Sequence, residues 1–378
     1  MLVAGEASGD AHGATLCRAL AAQAPDTRLM GMGGPRMAQA GMELLVDVTA
    51  AAAAGGTEAV GRVPTLLRAW RRMRAVLDEG PRPGVVVLID FPEFNLRLAR
   101  VARRAGVPVV YFVPPQIWAW RGGRVRAIRR RVSLVLAAFP FETALYRAAG
   151  VPVEFVGHPA IDAVVDAPSR AAARRRLDLP DGATVVGLLP GSRREEVERM
   201  LPVMRDAAAR IHARHAGARF VLAQAPTIER AVVERLVVGG PRIEVVADGA
   251  YAVMRAADVL LVTSGTATLE AALLGTPMVV GYRLSRLSEA MVRFLIRVPW
   301  VSLANIALGR AVVPELYQAR ATGEVLARES LRLLESPEAA AAQRTAFAEL
   351  TGALGEPGVG ARAARLVLDR MRVAVRAV

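Results

Sequence analysis

The sequence predicts an α/β protein made of two successive Rossmann-like parallel domains, and three observations carry that prediction. At 378 residues the chain exceeds the size at which a single hydrophobic core keeps growing. Continuous apolar runs such as Val85-Val86-Val87-Leu88-Ile89 suit strands buried on both faces of a parallel sheet. A rhythm of apolar run, Gly- or Ser-bearing turn and helix-like stretch occurs in the first half and again in the second, as βα units require.

Taken in order, Leu2 to Ala4 reads as a short strand, followed by Gly5-Glu6-Ala7-Ser8-Gly9-Asp10 and a helix from Ala11 to Ala22. Gly5, Gly9 and Gly13 let a backbone approach a ligand, and Asp10 suits an N-cap. The loop is a phosphate-loop candidate without the G-x-G-x-x-G spacing of a dinucleotide site. Further strands are expected at Arg28 to Met32, Leu44 to Val46, Val85 to Asp90, Val107 to Phe112, Leu134 to Ala137 and Val153 to Val156. Asp90 ends the most apolar of them. Ligands of open parallel sheets sit at the carboxyl ends of strands, so Asp90 is a candidate base, with a helix-capping or turn role as the alternative.

Val63 to Leu77 has helical period, with Leu66, Trp70, Met73 and Leu77 on one face and Arg68, Arg71 and Arg72 opposite. Such a helix either packs on a core or lies on an anionic membrane, and packing is the commoner outcome. The pattern recurs at Leu287, Met291, Phe294, Leu295 and Val298. Between Phe112 and Arg121, two Pro residues precede Trp118 and Trp120 in a loop that could wall a ligand site. Gly157-His158-Pro159 then leads through an Arg-rich stretch to Pro180-Asp181-Gly182, read as the linker between domains, with His158 as a hinge or packing residue.

In the second half, strands are expected at Thr184 to Leu189, Arg219 to Ala223, Ile243 to Val246, Val259 to Val262 and Met278 to Gly281, and three helices after Glu324. Two turns stand out. Pro190-Gly191-Ser192-Arg193 joins a buried-type strand to a helix and would present free backbone N–H groups and a guanidinium fork to a phosphate. Ser264-Gly265-Thr266 does the same after the next buried strand, and Glu270, one turn into the helix, could accept both hydroxyls of a ribose.

Composition narrows the function classes. The formal net charge is +14, and every one of the 49 basic residues is arginine. The absence of lysine removes a P-loop lysine and a Schiff-base lysine, and with it a pyridoxal cofactor. Cys17 is the only cysteine and the four histidines form no cluster, so neither a disulfide nor a metal site is expected. The apolar runs are too short or too broken to span a bilayer, and Glu6 and Asp10 interrupt any signal-peptide core, which predicts cytoplasmic residence. Positive charge favours anionic partners such as phosphorylated substrates, a membrane leaflet or nucleic acid. Aromatics at 5% and no zinc or RNA-binding signature argue against specific nucleic-acid recognition. Two parallel α/β units with phosphate-binding turns facing a cleft describe a nucleotide-sugar enzyme.

Nine stretches, in order, resemble the lipid-A-disaccharide synthase family: AGEASGDAHG from Ala4, GGPRM from Gly33, LIDFPEFN from Leu88, QIWAWR from Gln116, FPFE from Phe139, FVGHPAID from Phe155, LLPGSRREEVE from Leu188, TSGTATLEAALLGTPMVVGYR from Thr263 and WVSLANIALGR from Trp300. The resemblance implies a GT-B fold, with residues 1–165 as the acceptor domain, 166–349 as the UDP-sugar domain and a final helix, about 350–378, returning to the first. It implies an inverting transfer of 2,3-diacylglucosamine from its UDP derivative to the 6-hydroxyl of 2,3-diacylglucosamine 1-phosphate, without a cofactor. Asp90 matches the family's base. Arg193, Ser192, Gly191, Gly265 and Thr266 would meet the diphosphate, Glu270 the ribose and Asn305 another part of UDP. Glu6, Ser8, Gly9, Asp10, Trp118 and Trp120 would lie on the acceptor side. Peripheral contact with an anionic inner-membrane surface is expected, and a homodimer is compatible with it. The chain departs from the family at Pro114, at Glu93 and over Ala51 to Gly56. Competing readings are a UDP-N-acetylglucosamine 2-epimerase, a glucosaminyltransferase of a lipid-linked precursor, and a nonspecific nucleic-acid-binding protein.

Overall fold

The computed structural model describes residues 1–47, 63–115, 123–284 and 300–376. Two compact units divide the chain, Met1–Ala163 with Ala353–Val378, and Val164–Gly352.

The first unit runs β1 (Leu2–Ala4), α1 (Ala7–Gln23), β2 (Met30–Gly33), α2 (Pro35–Gln39), β3 (Glu43–Asp47), α3 (Val63–Asp78), β4 (Val86–Ile89), α4 (Pro92–Arg104), β5 (Val109–Phe112), α5 (Gly123–Arg131), β6 (Leu134–Ala137), α6 (Pro140–Ala148), β7 (Val153–Phe155) and α7 (Ala160–Val164). Its strands are parallel in the order β3-β2-β1-β4-β5-β6-β7. β4, β5 and β6 are buried along their whole length, which is why their sequences are apolar at every position rather than at alternate ones.

The apolar face of α3 belongs to this core. Ala69, Met73 and Leu77 are fully buried, and the Trp70 ring meets Phe94 edge-on at 5.7 Å. Trp70, partly buried, therefore packs against this core, the commoner outcome for such a helix. The second helix of this pattern, 287–298, lies outside the described residues.

In the second unit come α8 (Arg170–Arg176), β8 (Val185–Leu189), α9 (Arg194–Arg214), β9 (Arg219–Gln224), α10 (Arg230–Val237), β10 (Ile243–Ala247), α11 (Ala250–Ala256), β11 (Val259–Thr263), α12 (Thr266–Leu273), β12 (Met278–Tyr282), α13 (Leu303–Leu308), β13 (Glu315–Tyr317) and α14 (Gly323–Glu335). These strands too are parallel, in the order β10-β9-β8-β11-β12-β13. Two further helices, α15 (Pro337–Leu354) and α16 (Val359–Arg376), end the described chain.

Two expectations are corrected. The Arg-rich stretch read as linker forms α8, and Arg170 and Arg174 both bond Asp258, which also accepts from the Val185 N–H at 2.8 Å. This charge lock ties α8 to the second sheet. The three-residue strand β13 had no apolar run to announce it.

α16 is fastened to the first unit. The Asp162 carboxylate accepts from the N–H groups of Gly358, Val359 and Gly360 at 2.7, 3.1 and 2.8 Å, and the Arg362 guanidinium donates to the Val156 carbonyl. In each sheet the winding direction reverses once, between β1 and β4 and between β8 and β11. Ligands of open α/β sheets bind outside the carboxyl ends of strands at such reversals.

Candidate active site

At the first reversal Ala4 pairs with Ile89, so the chain leaving β1 and the chain leaving β4 emerge side by side. A Cβ on Gly5 would lie 2.1 Å from Cδ1 of Phe91. Glycine is thus required there by the Phe91 ring, where the sequence suggested room for a ligand. Gly9 lets α1 lie against β1, since a Cβ on it would come 3.3 Å from the Ala4 Cβ. Glu6 is the N-cap position of α1, and Ser8 sits in the first turn, partly exposed.

Asp10 is not the cap of its own helix. It lies inside α1, 2% exposed, and its carboxylate accepts from the N–H groups of Gly34, Arg36 and Met37 at 2.8, 3.1 and 3.0 Å. It caps α2, and the carboxylate is taken up by that work.

Asp90 follows the last residue of β4 and is partly exposed. The N-cap position of α4 is Phe91, one residue after Asp90. Burial pushes the Tyr111 phenol well above its usual range, and the nearby Asp90 charge adds to that effect. Trp118 and Trp120 lie outside the described residues. His158 is a packing residue: its ring meets His12 at 5.5 Å and Phe139 at 5.2 Å, and Nδ1 accepts from the Ala160 N–H at 3.1 Å. Burial, with the Arg36 charge adding, lowers the His12 pKa to about 4.

At the second reversal Leu189 pairs with Val262, which brings the turns after β8 and β11 together. Gly191 has φ of 122°, a conformation that favours glycine. The expectation of free amides at this turn is corrected, because Oε2 of Glu196 accepts from the Ser192 and Arg193 N–H groups at 3.2 and 3.3 Å. The Arg193 guanidinium also reaches Oε1 of Glu196 at 3.4 Å and is half exposed. A carboxylate therefore occupies the position of an anion on this turn. Gly265, the N-cap position of α12, has φ 155° and ψ −164°, a region open to glycine alone. No atom lies within 4 Å of where its Cβ would be, so the backbone conformation sets the requirement. Thr266 is the first residue of α12.

Glu270 is partly exposed and accepts from the Tyr251 hydroxyl at 3.0 Å. Asn305 is buried with its amide saturated. Nδ2 donates to the Val313 carbonyl and to Glu315, and Oδ1 accepts from the N–H groups of Val312 and Val313. Its side chain has no hydrogen-bonding capacity left for a nucleotide. Glu315 also accepts from the N–H groups of Val301 and Ser302. Sequence reading missed Tyr251, Glu196, Glu315 and Tyr282. Tyr282 ends β12, stacks on Tyr317 at 6.5 Å, and has its phenol pKa raised by burial and by Glu196. The signal for Glu196 was available: an acidic residue three positions after the N-cap, here Arg193, is half of a capping box.

A family model described as Lipid-A-disaccharide synthetase matches residues 1–363. The chain belongs to this family. Lipid-A-disaccharide synthases of Geobacter sulfurreducens and Myxococcus xanthus are each 42% identical to it, over 372 and 370 residues; each match covers 98% of this chain, and 97% and 96% of those proteins. Among solved structures, the UDP-GlcNAc 2-epimerase of Neisseria meningitidis bound to UDP-GlcNAc superposes with a TM-score of 0.66 at 12% identity, covering 98% of this chain and 99% of that one. A glycosyltransferase of kitacinnamycin gives 0.63 at 17%, covering 98% of both chains. These two likenesses concern the fold alone, which is the GT-B arrangement of two parallel-sheet α/β domains. Membership in the synthetase family makes the chain a glycosyltransferase that forms the lipid A disaccharide. Among the described residues no three His, Cys, Asp or Glu are grouped to hold a metal ion, and no helix is long and apolar enough to cross a membrane.

Proposed function

We propose that the first unit supplies the base and the second holds the nucleotide in transfer of 2,3-diacylglucosamine from UDP-2,3-diacylglucosamine to 2,3-diacylglucosamine 1-phosphate. The Asp90 carboxylate takes the proton of the acceptor 6-hydroxyl as that oxygen bonds the anomeric carbon. The bond from this carbon to the diphosphate oxygen breaks, and UDP leaves with the electron pair. Attack from the face opposite UDP inverts the anomeric centre and gives the β-1,6 linkage. Charge that builds on the leaving diphosphate falls to Arg193, the turn of Gly191 and Ser192, and the helix start at Gly265 and Thr266. Glu270, steadied by Tyr251, receives the ribose hydroxyls. Glu6, Ser8 and Gly9 belong to the acceptor side, where the turn leaving β1 adjoins Asp90.

One observation carries the reading: in each sheet the residues singled out by chemistry sit at the winding reversal, Asp90 after β4 and Arg193 after β8. The diphosphate meets a turn whose amides Glu196 already engages, so donor binding exchanges one anion for another. The +14 charge and an acylated substrate support contact with an anionic leaflet. Co-sedimentation with anionic vesicles that persists unchanged at high salt would contradict an electrostatic contact.

The test is turnover of the diacylated donor against non-acylated UDP-N-acetylglucosamine, in the presence of a chelator. Acceptor-dependent UDP release is expected from the diacylated donor only. Efficient turnover of the non-acylated sugar would favour an epimerase or a different glucosaminyltransferase.

A further inference from the structure

Asp90 and Phe91 have φ values of 48° and 46°. Two consecutive non-glycine residues in the left-handed region persist only where their surroundings over-determine them. Four hydrogen bonds do so here. The Asp90 N–H donates to the Val113 carbonyl at 3.3 Å, and the Asn95 N–H donates to the Phe91 carbonyl at 3.1 Å. The Asp90 carbonyl accepts from Nδ2 of Asn95 at 2.7 Å and from the Tyr111 hydroxyl at 2.6 Å.

Asn95 is wholly buried, and its Nδ2 also lies 3.1 Å from the Ile89 carbonyl and 3.4 Å from that of Val3. Three carbonyl oxygens around one atom fix the amide orientation, because the reversed amide would set oxygen against oxygen. The side chain thereby joins the end of β4, the turn after it and the end of β1. Its Oδ1 finds no hydrogen-bond partner among the described residues, a cost that simple core packing does not require.

Resting on the reading of Asp90 as the base, we infer that Asn95 and Tyr111 are positioning residues that clamp the Asp90 carbonyl and so hold the left-handed turn from which the carboxylate works. A base must come within hydrogen-bond reach of the proton it takes. If the clamp is released, the 90–91 peptide can relax to an ordinary right-handed conformation and carry the carboxylate away from that position.

The experiment measures kcat, donor KM and denaturant midpoint for Asn95→Ala, Tyr111→Phe and Asp90→Asn, and for each clamp variant combined with Asp90→Asn. Displacement of a catalytic group by about 1 Å costs up to about a hundredfold, so kcat is expected to fall about fiftyfold in Asn95→Ala and about tenfold in Tyr111→Phe. Donor KM should stay within about twofold, because the donor site lies on the other sheet. In the Asp90→Asn background neither substitution should lower the residual rate further, since a clamp has nothing left to position. An equal fall in both backgrounds would show a general structural role and overturn the inference. Wild-type rates in both clamp variants beside a slow Asp90→Asn would overturn this inference alone, whereas a wild-type rate in Asp90→Asn would overturn the base assignment first. Should Asn95→Ala fail to fold, Tyr111→Phe decides, because it removes a single oxygen from an otherwise unchanged ring.

Discussion

At the scale of single residues, the His12 and His158 pair makes a prediction about pH. Both rings are buried and their pKa values are lowered, that of His12 to about 4. The unfolded chain binds a proton near the ordinary value of about 6.5, while the folded chain refuses it until about 4. Stability from His12 is therefore fully present above the unfolded value and is lost as pH falls from there toward the folded one. Between pH 7.5 and 5 that loss is about 2 kcal/mol. The groups facing His12 are His158 and the Arg36 charge, and a second proton on His158 would deepen the loss. Urea denaturation at the two pH values should show a smaller drop for His12→Gln than for wild type; equal drops would contradict the assignment. Site chemistry was unevenly legible at this scale. The placement of Asp90 and Arg193 after strand ends could be read because each follows an apolar run that had to be a strand. Asp10 and Asn305 were misjudged because their partners, Gly34 to Met37 and Val312 to Glu315, spend capacity that a local pattern leaves open. Asn95 stood inside a recognisable motif, but its use depends on Tyr111, a strand away.

At the scale of elements, turn geometry and capping set where helices begin. Asp10 leaves α1 to start three residues earlier, at Ala7, and serves α2 instead. Asp10→Ala would strand three buried or part-buried N–H groups and remove a charge-assisted cap, a cost of about 2 to 4 kcal/mol. Denaturant unfolding of the variant measures it, and a change below about 0.5 kcal/mol, the usual size for an uninvolved surface site, would contradict the cap. The buried strands were the easiest elements to read, since burial on both faces leaves an uninterrupted apolar signature. The four-residue run Leu134–Ala137 matches its strand to the residue. β13 escaped notice because three residues, ELY, carry no period. The linker reading of the stretch from Gly157 to Gly182 holds the boundary between the units but missed α8, which Asp258, more than eighty residues away, ties to the second sheet.

At the scale of the whole molecule, two parallel sheets have one winding reversal each, the place where open α/β sheets bind ligands, and the residues proposed for the reaction follow the strands at those reversals. The fold class was legible because the rhythm of apolar run and helix repeats in both halves. The fastening of α16 by Asp162, 196 positions earlier in the chain, was not, since no local pattern reports so distant a bond. The central claim is that Asp90 acts as the base for glycosyl transfer. Its most direct test is UDP release from UDP-2,3-diacylglucosamine, with and without 2,3-diacylglucosamine 1-phosphate, for wild type and Asp90→Asn. Acceptor-dependent release is predicted to fall by about a hundredfold or more in the variant. Release by Asp90→Asn at the wild-type rate would contradict the claim.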